Sequence, residues 1–300
     1  MNTEIKTVGV IGLGSMGMGA AKSCINAGLD VFGFDLNPKA LEELQQFGAK
    51  GVSESALEYA SKLDAMLILV VNAQQVNSVL FESGLASSLK PETAIMVSAT
   101  MASDDAKSIG EKLNQHQLIM LDAPVSGGAL KAANGEMTVM ASGSQVAFDK
   151  LKPLLDATAT KVYKIGEEIG LGSTVKIIHQ ILAGVHIAAA AEAMALAARA
   201  NIPLELMYDI VTNAAGNSWM FENRMKHVLD GDYSPNSMVD IFVKDLGLVA
   251  DTAQNLDFPL PLSSTALEMF TKASNAGFGK EDDSAVIKIF EGIKLPGVGE

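Results

Sequence analysis

Three glycines at a fixed spacing, Gly12-Leu13-Gly14-Ser15-Met16-Gly17, follow the apolar run Thr7–Ile11 and open a stretch rich in helix formers. That pattern suits a pyrophosphate. Gly12 permits a tight turn, Gly14 lets backbone N–H groups approach the anion, and Gly17 allows a helix to pack closely on its strand. The helix N-terminus then faces the negative charge. About 20 residues on, Asp35 ends the next apolar run, where a carboxylate would hydrogen-bond ribose hydroxyls. The set Gly12, Leu13, Gly14, Ser15, Met16, Gly17 and Asp35 therefore predicts dinucleotide binding. A carboxylate at 35 repels a 2′-phosphate, and Leu36-Asn37-Pro38 brings no arginine to offset it, so NAD is expected over NADP. As a residue ahead of Asn37-Pro38, Asp35 is also suited to a turn.

Three further groups carry chemistry. In Asp122-Ala123-Pro124-Val125-Ser126-Gly127-Gly128, a hydroxyl and two flexible glycine amides can hold a carboxylate without a cation, although an ordinary proline–glycine loop reads the same way. In Gly170-Leu171-Gly172-Ser173-Thr174-Val175-Lys176, a lysine falls in the first turns of a helix. There the dipole disfavours the cation, and partial burial would lower its pKa towards use as a proton acceptor. Spacing alone equally fits a solvent-facing lysine. His179 and Gln180 follow at three and four residues, on or near the same face. In Lys244-Asp245-Leu246 an i, i+1 pair points to different sides of a helix, so the two charges are not expected to bond each other. Trp219, the only tryptophan, is expected in the core or as the wall of a pocket.

These residues need elements to position them. Thr7–Gly12, Val31–Asp35, Ala65–Val71, Ile95–Ser98 and Leu118–Leu121 are continuous apolar runs suited to parallel strands covered on both faces, with Met137–Ala141 and Lys161–Ile165 as further strands. Helices over Gly17–Ala27, Lys39–Phe47, Ala56–Lys62 and Ser103–Gln115 alternate with them, which predicts a doubly wound sheet. From Gly170 strand signals fade. One long helix is expected over Ser173–Ala200, then helices over Leu204–Asn213, Trp219–His227, Val239–Asn255, Leu260–Asn275 and Ser284–Ile293. The predicted organisation is an α/β sheet domain over 1–168 and an all-α domain over 169–300, joined by the long helix.

Composition removes several function classes. The 300 residues carry 22 basic and 35 acidic side chains, a net charge of −13 that opposes nucleic acid or an anionic membrane as partner. A single cysteine, Cys24, makes no internal disulfide, and with four histidines no metal cluster is expected. The apolar run Ile177–Ala191 contains His179 and His186 and is shorter than a membrane span, so the chain reads as cytoplasmic.

Taken in order and at these separations, the four motifs resemble the β-hydroxyacid dehydrogenase family, which includes 3-hydroxyisobutyrate dehydrogenase and the larger 6-phosphogluconate dehydrogenase. The resemblance runs from Val8 to about Ile293. It implies a Rossmann-type NAD(P)-binding domain, a helical domain that builds a dimer or tetramer, and hydride transfer to or from a small hydroxy acid. On this resemblance Lys176 matches the catalytic lysine, Ser126, Gly127 and Gly128 the substrate-carboxylate loop, and Val71, Asn72 and Thr100 positions near the nicotinamide. Lys244 matches a lysine closing over the nicotinamide. The resemblance, not the spacing, gives Lys176 and Lys244 those roles.

The chain departs from the family at one informative place. Most members carry asparagine four residues after the lysine, as a partner of the substrate; here it is Gln180, preceded by His179. Both are expected to bind substrate hydroxyls. Lys176–Ala200 and Gly216–Arg224 resemble the branch acting on a four-carbon sugar acid. Another hydroxy acid, such as D-glycerate or 3-hydroxyisobutyrate, and a non-catalytic NAD-binding sensor remain as alternatives.

Overall fold

Short apolar runs become strands: Thr7–Ile11 (β1), Asp30–Phe34 (β2), Gly51–Ser53 (β3), Ala65–Ile68 (β4), Ala94–Val97 (β5), Ile119–Asp122 (β6), Val125–Ser126 (β7), Met137–Ser142 (β8) and Ala159–Gly166 (β9). Successive side chains point to opposite faces of the sheet. Along β4 and β5 this sends Ala65, Leu67, Ala94 and Met96 into one buried cluster and Met66, Ile68, Ile95 and Val97 into another. Helices therefore cover both faces. The computed structural model describes residues 5–297.

The nine strands form one sheet in the order β3-β2-β1-β4-β5-β6-β8-β7, with β9 against β8. All pairs from β3 to β6 are parallel. The order reverses between β1 and β4, which is where such sheets bind nucleotides beyond their carboxyl ends. β8 runs antiparallel to β6 and β7, so the sheet is mixed rather than wholly parallel. The connection from β6 to β8 holds only β7 and a six-residue helix over Gly128–Ala133, too little for a crossover back to a parallel neighbour.

The helices are Ser15–Asn26 (α1), Pro38–Phe47 (α2), Ala73–Asn77 (α3), Leu85–Ser88 (α4), Ser103–Gln115 (α5), Gly128–Ala133 (α6), Gln145–Thr158 (α7), Leu171–Arg199 (α8), Leu204–Thr212 (α9), Trp219–Asp230 (α10), Val239–Asn255 (α11) and Pro261–Ala273 (α12). Ala56–Lys62 and Asp283–Ile289 are 3₁₀ helices. α7 has no counterpart among the expected elements. Pro153 sits inside it, and Ser144 caps it by accepting from the Ala147 N–H at 3.2 Å.

Two compact units divide at Lys176/Ile177, inside α8; the outermost residues of both expected ranges, 1–4 and 298–300, lie outside the described residues. The second unit is helical. Its core gathers Ile187, Ala191 and Met194 of α8 with Phe221, Phe242, Leu246 and Phe270, and the rings of Phe242 and Phe270 stack at 5.1 Å. α8 is long and apolar enough to cross a membrane by length and composition, yet half of its most apolar window is buried within the protein. Trp219 is 53% exposed, not in the core: it opens α10, whose buried face is Phe221, Arg224, Met225 and Val228.

Candidate active site

The glycine turn is built as its spacing predicts. Gly12 takes φ +87°, and a Cβ there would lie 2.7 Å from the Leu69 carbonyl oxygen, so the turns after β1 and β4 meet at this glycine. A Cβ on Gly17 would lie 1.7 Å from the Gly12 oxygen, which fixes glycine where α1 leaves the strand. Around Gly14 nothing lies within 4 Å of such a Cβ. Gly14 is also the N-cap of α1 and carries no side-chain cap, so an anion can meet the helix amides there. This open cradle fits a pyrophosphate.

Asp35 serves the same turn. Its Oδ2 accepts from the Leu13 N–H at 2.6 Å and its Oδ1 from the Asn37 N–H at 2.8 Å. The turn role and the ribose role are compatible, because each carboxylate oxygen has a second lone pair. Ser15 is exposed and Met16 half-buried beside the turn. Beyond β4, Val71 is exposed, its N–H donating to Gln75 Oε1 at 2.9 Å, and Asn72 caps α3 by accepting from the Gln75 N–H at 2.9 Å. Thr100 is half-buried just beyond β5. The switch point thus collects Gly12–Gly17, Val71, Asn72 and Thr100 at the carboxyl edge of β1, β4 and β5.

The loop after β6 is bent by two glycines. Ser126 ends β7, and Gly127 and Gly128 take φ +134° and +72°, two successive conformations that side-chain-bearing residues avoid. A Cβ on Gly127 would press to 2.9 Å against Lys131.

Asp122, the first residue of that motif, has a role the sequence did not disclose. It is 1% exposed, and its carboxylate accepts from the N–H of Gly170 (3.0 Å), the N–H of Ser173 (2.9 Å), and the hydroxyls of Ser173 (2.7 Å) and Ser142 (3.4 Å). It caps α8 from across the sheet edge, taking up amides that a helix start otherwise leaves unpaired. Burial pushes its carboxyl above the usual 3.8 despite these bonds. Gly172 completes the joint: a Cβ there would lie 2.6 Å from the carbonyls of both Asp122 and Met140. Lys176 stands one turn further along α8 and is 7% exposed, a buried lysine and not a solvated one.

In the helical unit, Gln180 is buried on α8 and its Nε2 donates to Asp245 Oδ2 at 2.6 Å. His179 Nδ1 lies 3.0 Å from Gln180 Oε1, and the His179 ring is exposed. Contrary to the helix-face expectation, Lys244 Nζ reaches Asp245 Oδ1 at 2.6 Å. The four-carbon lysine stem wraps around the helix far enough to pair with its neighbour, which is buried and otherwise costly to leave charged. Gly184 allows this contact. It brings α8 against Leu246, where a Cβ would approach to 2.9 Å, one turn from Gln180 and next to Asp245.

Two family models cover almost the whole chain: the NAD-binding domain of 6-phosphogluconate dehydrogenase at residues 7–166, and the NAD-binding domain of NADP-dependent 3-hydroxyisobutyrate dehydrogenase at 170–290. L-threonate dehydrogenase of Haemophilus influenzae is 70% identical over 300 residues, the full length of both chains. That of Escherichia coli strain K12 is 72% identical over 291 residues, 97% of this chain and 96% of the relative. A crystal structure of 3-hydroxyisobutyrate dehydrogenase from Salmonella typhimurium is 68% identical, with a TM-score of 0.92 over 95% of this chain and 100% of that one.

Proposed function

The chain belongs to the β-hydroxyacid dehydrogenase family, as an NAD-dependent enzyme, and from that premise we propose that it oxidises L-threonate at C2 to the 2-oxo acid, with Lys176 as the general base. The observation that carries the substrate is the 53–72% identity, along essentially the whole chain, to L-threonate dehydrogenases. When bound, NAD supplies the hydride acceptor for the hydrogen on C2.

The protein's part is to bind, orient and move one proton. The amides after Gly12, with α1 behind them, hold the pyrophosphate, and Asp35 holds the ribose and turns away a 2′-phosphate. Val71, Asn72, Thr100 and Lys244 contribute at the nicotinamide end. Ser126 Oγ and the amides of Gly127 and Gly128 bind the substrate carboxylate. The C2 hydroxyl gives its proton to Lys176 Nζ, a buried amine in the first turns of α8. Asp122 and Gly172 act through Lys176 by fixing the start of α8 on the sheet. His179 meets the remaining hydroxyls, with the Gln180 amide oxygen beside its ring.

We further propose that the enzyme is cytoplasmic and assembles as a homodimer or homotetramer, for which the exposed Ile178, Leu182 and Leu196 along α8 supply apolar surface. Deuterium placed at C2 of L-threonate tests the chemistry: the label should appear in the reduced cofactor, with a slowed rate. Label retained in the organic product would refute oxidation at C2. The Salmonella protein's name favours 3-hydroxyisobutyrate as a second substrate reading, and initial rates on the two acids separate them.

A further inference from the structure

The helical unit contains a chain of polar side chains whose hydrogen-bond directions are fixed from one end. Asp245 is 2% exposed and pairs through Oδ1 with the Lys244 ammonium. A carboxylate so paired only accepts, so the group of Gln180 lying 2.6 Å from Oδ2 must be the NH₂ of its amide. The amide oxygen then faces away from Asp245, and it lies 3.0 Å from His179 Nδ1. An oxygen with no hydrogen requires a donor there, so Nδ1 carries the imidazole proton. In the neutral ring Nε2 is then the acceptor.

We propose that Asp245 and Gln180 are positioning residues that lock His179 in its Nδ1–H tautomer, and that His179 Nε2 is the specificity-determining acceptor for the substrate hydroxyl adjacent to the reacting carbon. The inference rests on the hydroxy-acid reading above and refines it. Gln180 is spent on Asp245 and His179 and does not itself grip the substrate. His179 follows Lys176 by three residues on one helix, where Cβ atoms stand about 5–6 Å apart. One small substrate can therefore meet both side chains, as a sugar acid does through its C2 and C3 hydroxyls. The extra methylene of glutamine has a purpose in this arrangement. Asparagine at 180 is shorter by one carbon–carbon bond, which weakens a span from Asp245 to the ring.

Long-range proton–nitrogen correlation spectra of the full chain, labelled only in its histidines and recorded at about pH 8, test the lock directly. His179→Gln identifies the resonance by its loss. The neutral Nδ1–H form is expected in the wild type, shifting towards a mixture in Asp245→Asn and Gln180→Asn, because asparagine at 245 accepts and donates alike. A wild-type ring protonated on Nε2, or on both nitrogens, overturns the proposal. The spectra need neither substrate nor cofactor, so a wrong substrate assignment leaves them unchanged. The recognition half is read from kcat/KM for L-threonate against 2,4-dihydroxybutanoate, which lacks the C3 hydroxyl. Loss of one such bond should lower that ratio by about tenfold or more in His179→Phe, with a smaller fall in Asp245→Asn. An unchanged ratio in His179→Phe, with the preference intact, overturns it.

Discussion

At the scale of single residues, the proposed chemistry turns on a buried amine and a carboxylate at the end of β2. Replacing Lys176 with alanine removes the proton acceptor, and kcat should fall by about 10²–10⁴-fold with NAD affinity retained. Steady-state rates beside cofactor titration separate the two. On the proposed ribose role of Asp35, Asp35→Ala should shift the kcat/KM preference towards NADP by about tenfold or more, at some cost to the turn it also bonds through Leu13 and Asn37. An unchanged preference would leave its carboxylate with the turn role alone. The turn that Asp35 bonds was legible in the sequence, because a glycine turn and an acidic strand end keep fixed local distances, whereas spacing alone left Lys176 open and only the resemblance assigned it. Asp245 was not. Its partner Gln180 lies 65 residues earlier, and i, i+1 geometry pointed away from the lysine it meets.

At the scale of elements, the placement of Lys176 depends on how α8 begins. Asp122 and Gly172 pin its first turn to the sheet edge, contacts spanning 48 residues and more of chain that no periodicity reveals. Asp122→Ala strands the Gly170 and Ser173 amides and should destabilise the protein by about 1–3 kcal/mol, measured by denaturant unfolding. Gly172→Ala inserts a methyl 2.6 Å from two carbonyls. It should displace the helix start and lower kcat while NAD affinity, held by the turn at Gly12, stays near wild type. A kcat equal to wild type would show that the docking of α8 does not set the position of Lys176. Most elements were readable because apolar runs and helix formers alternate, and Val239–Asn255 and Ser103–Gln115 fall where periodicity placed them. The sheet's antiparallel turn at β8 and helix α7 were not. The first depends on how little chain joins β6 to β8, and the second carries a proline that local propensity counts against.

At the scale of the whole molecule, stability and assembly follow from the helical unit. Burial, outweighing the attraction of Arg224 whose Nε lies 2.5 Å away, pushes Asp283 from 3.8 to about 7. A carboxyl raised in the folded state binds protons more tightly there than in the unfolded chain. Its contribution is therefore present below about pH 4 and is lost as pH rises towards 7. Between about pH 5 and 7.5 wild type should lose thermal stability relative to Asp283→Asn; a constant difference would place the Asp283 pKa outside that window. Light scattering should give a mass of two or four chains, and a monomer would contradict the proposed use of the exposed face of α8. The central claim is tested most directly by initial rates of NADH or NADPH formation from L-threonate, D-threonate, L-erythronate, D-erythronate, D-glycerate and 3-hydroxyisobutyrate. We predict strong selectivity for L-threonate with NAD. A higher kcat/KM for any other acid would contradict the substrate, and no turnover of any acid by a chain that binds NAD would contradict catalysis itself.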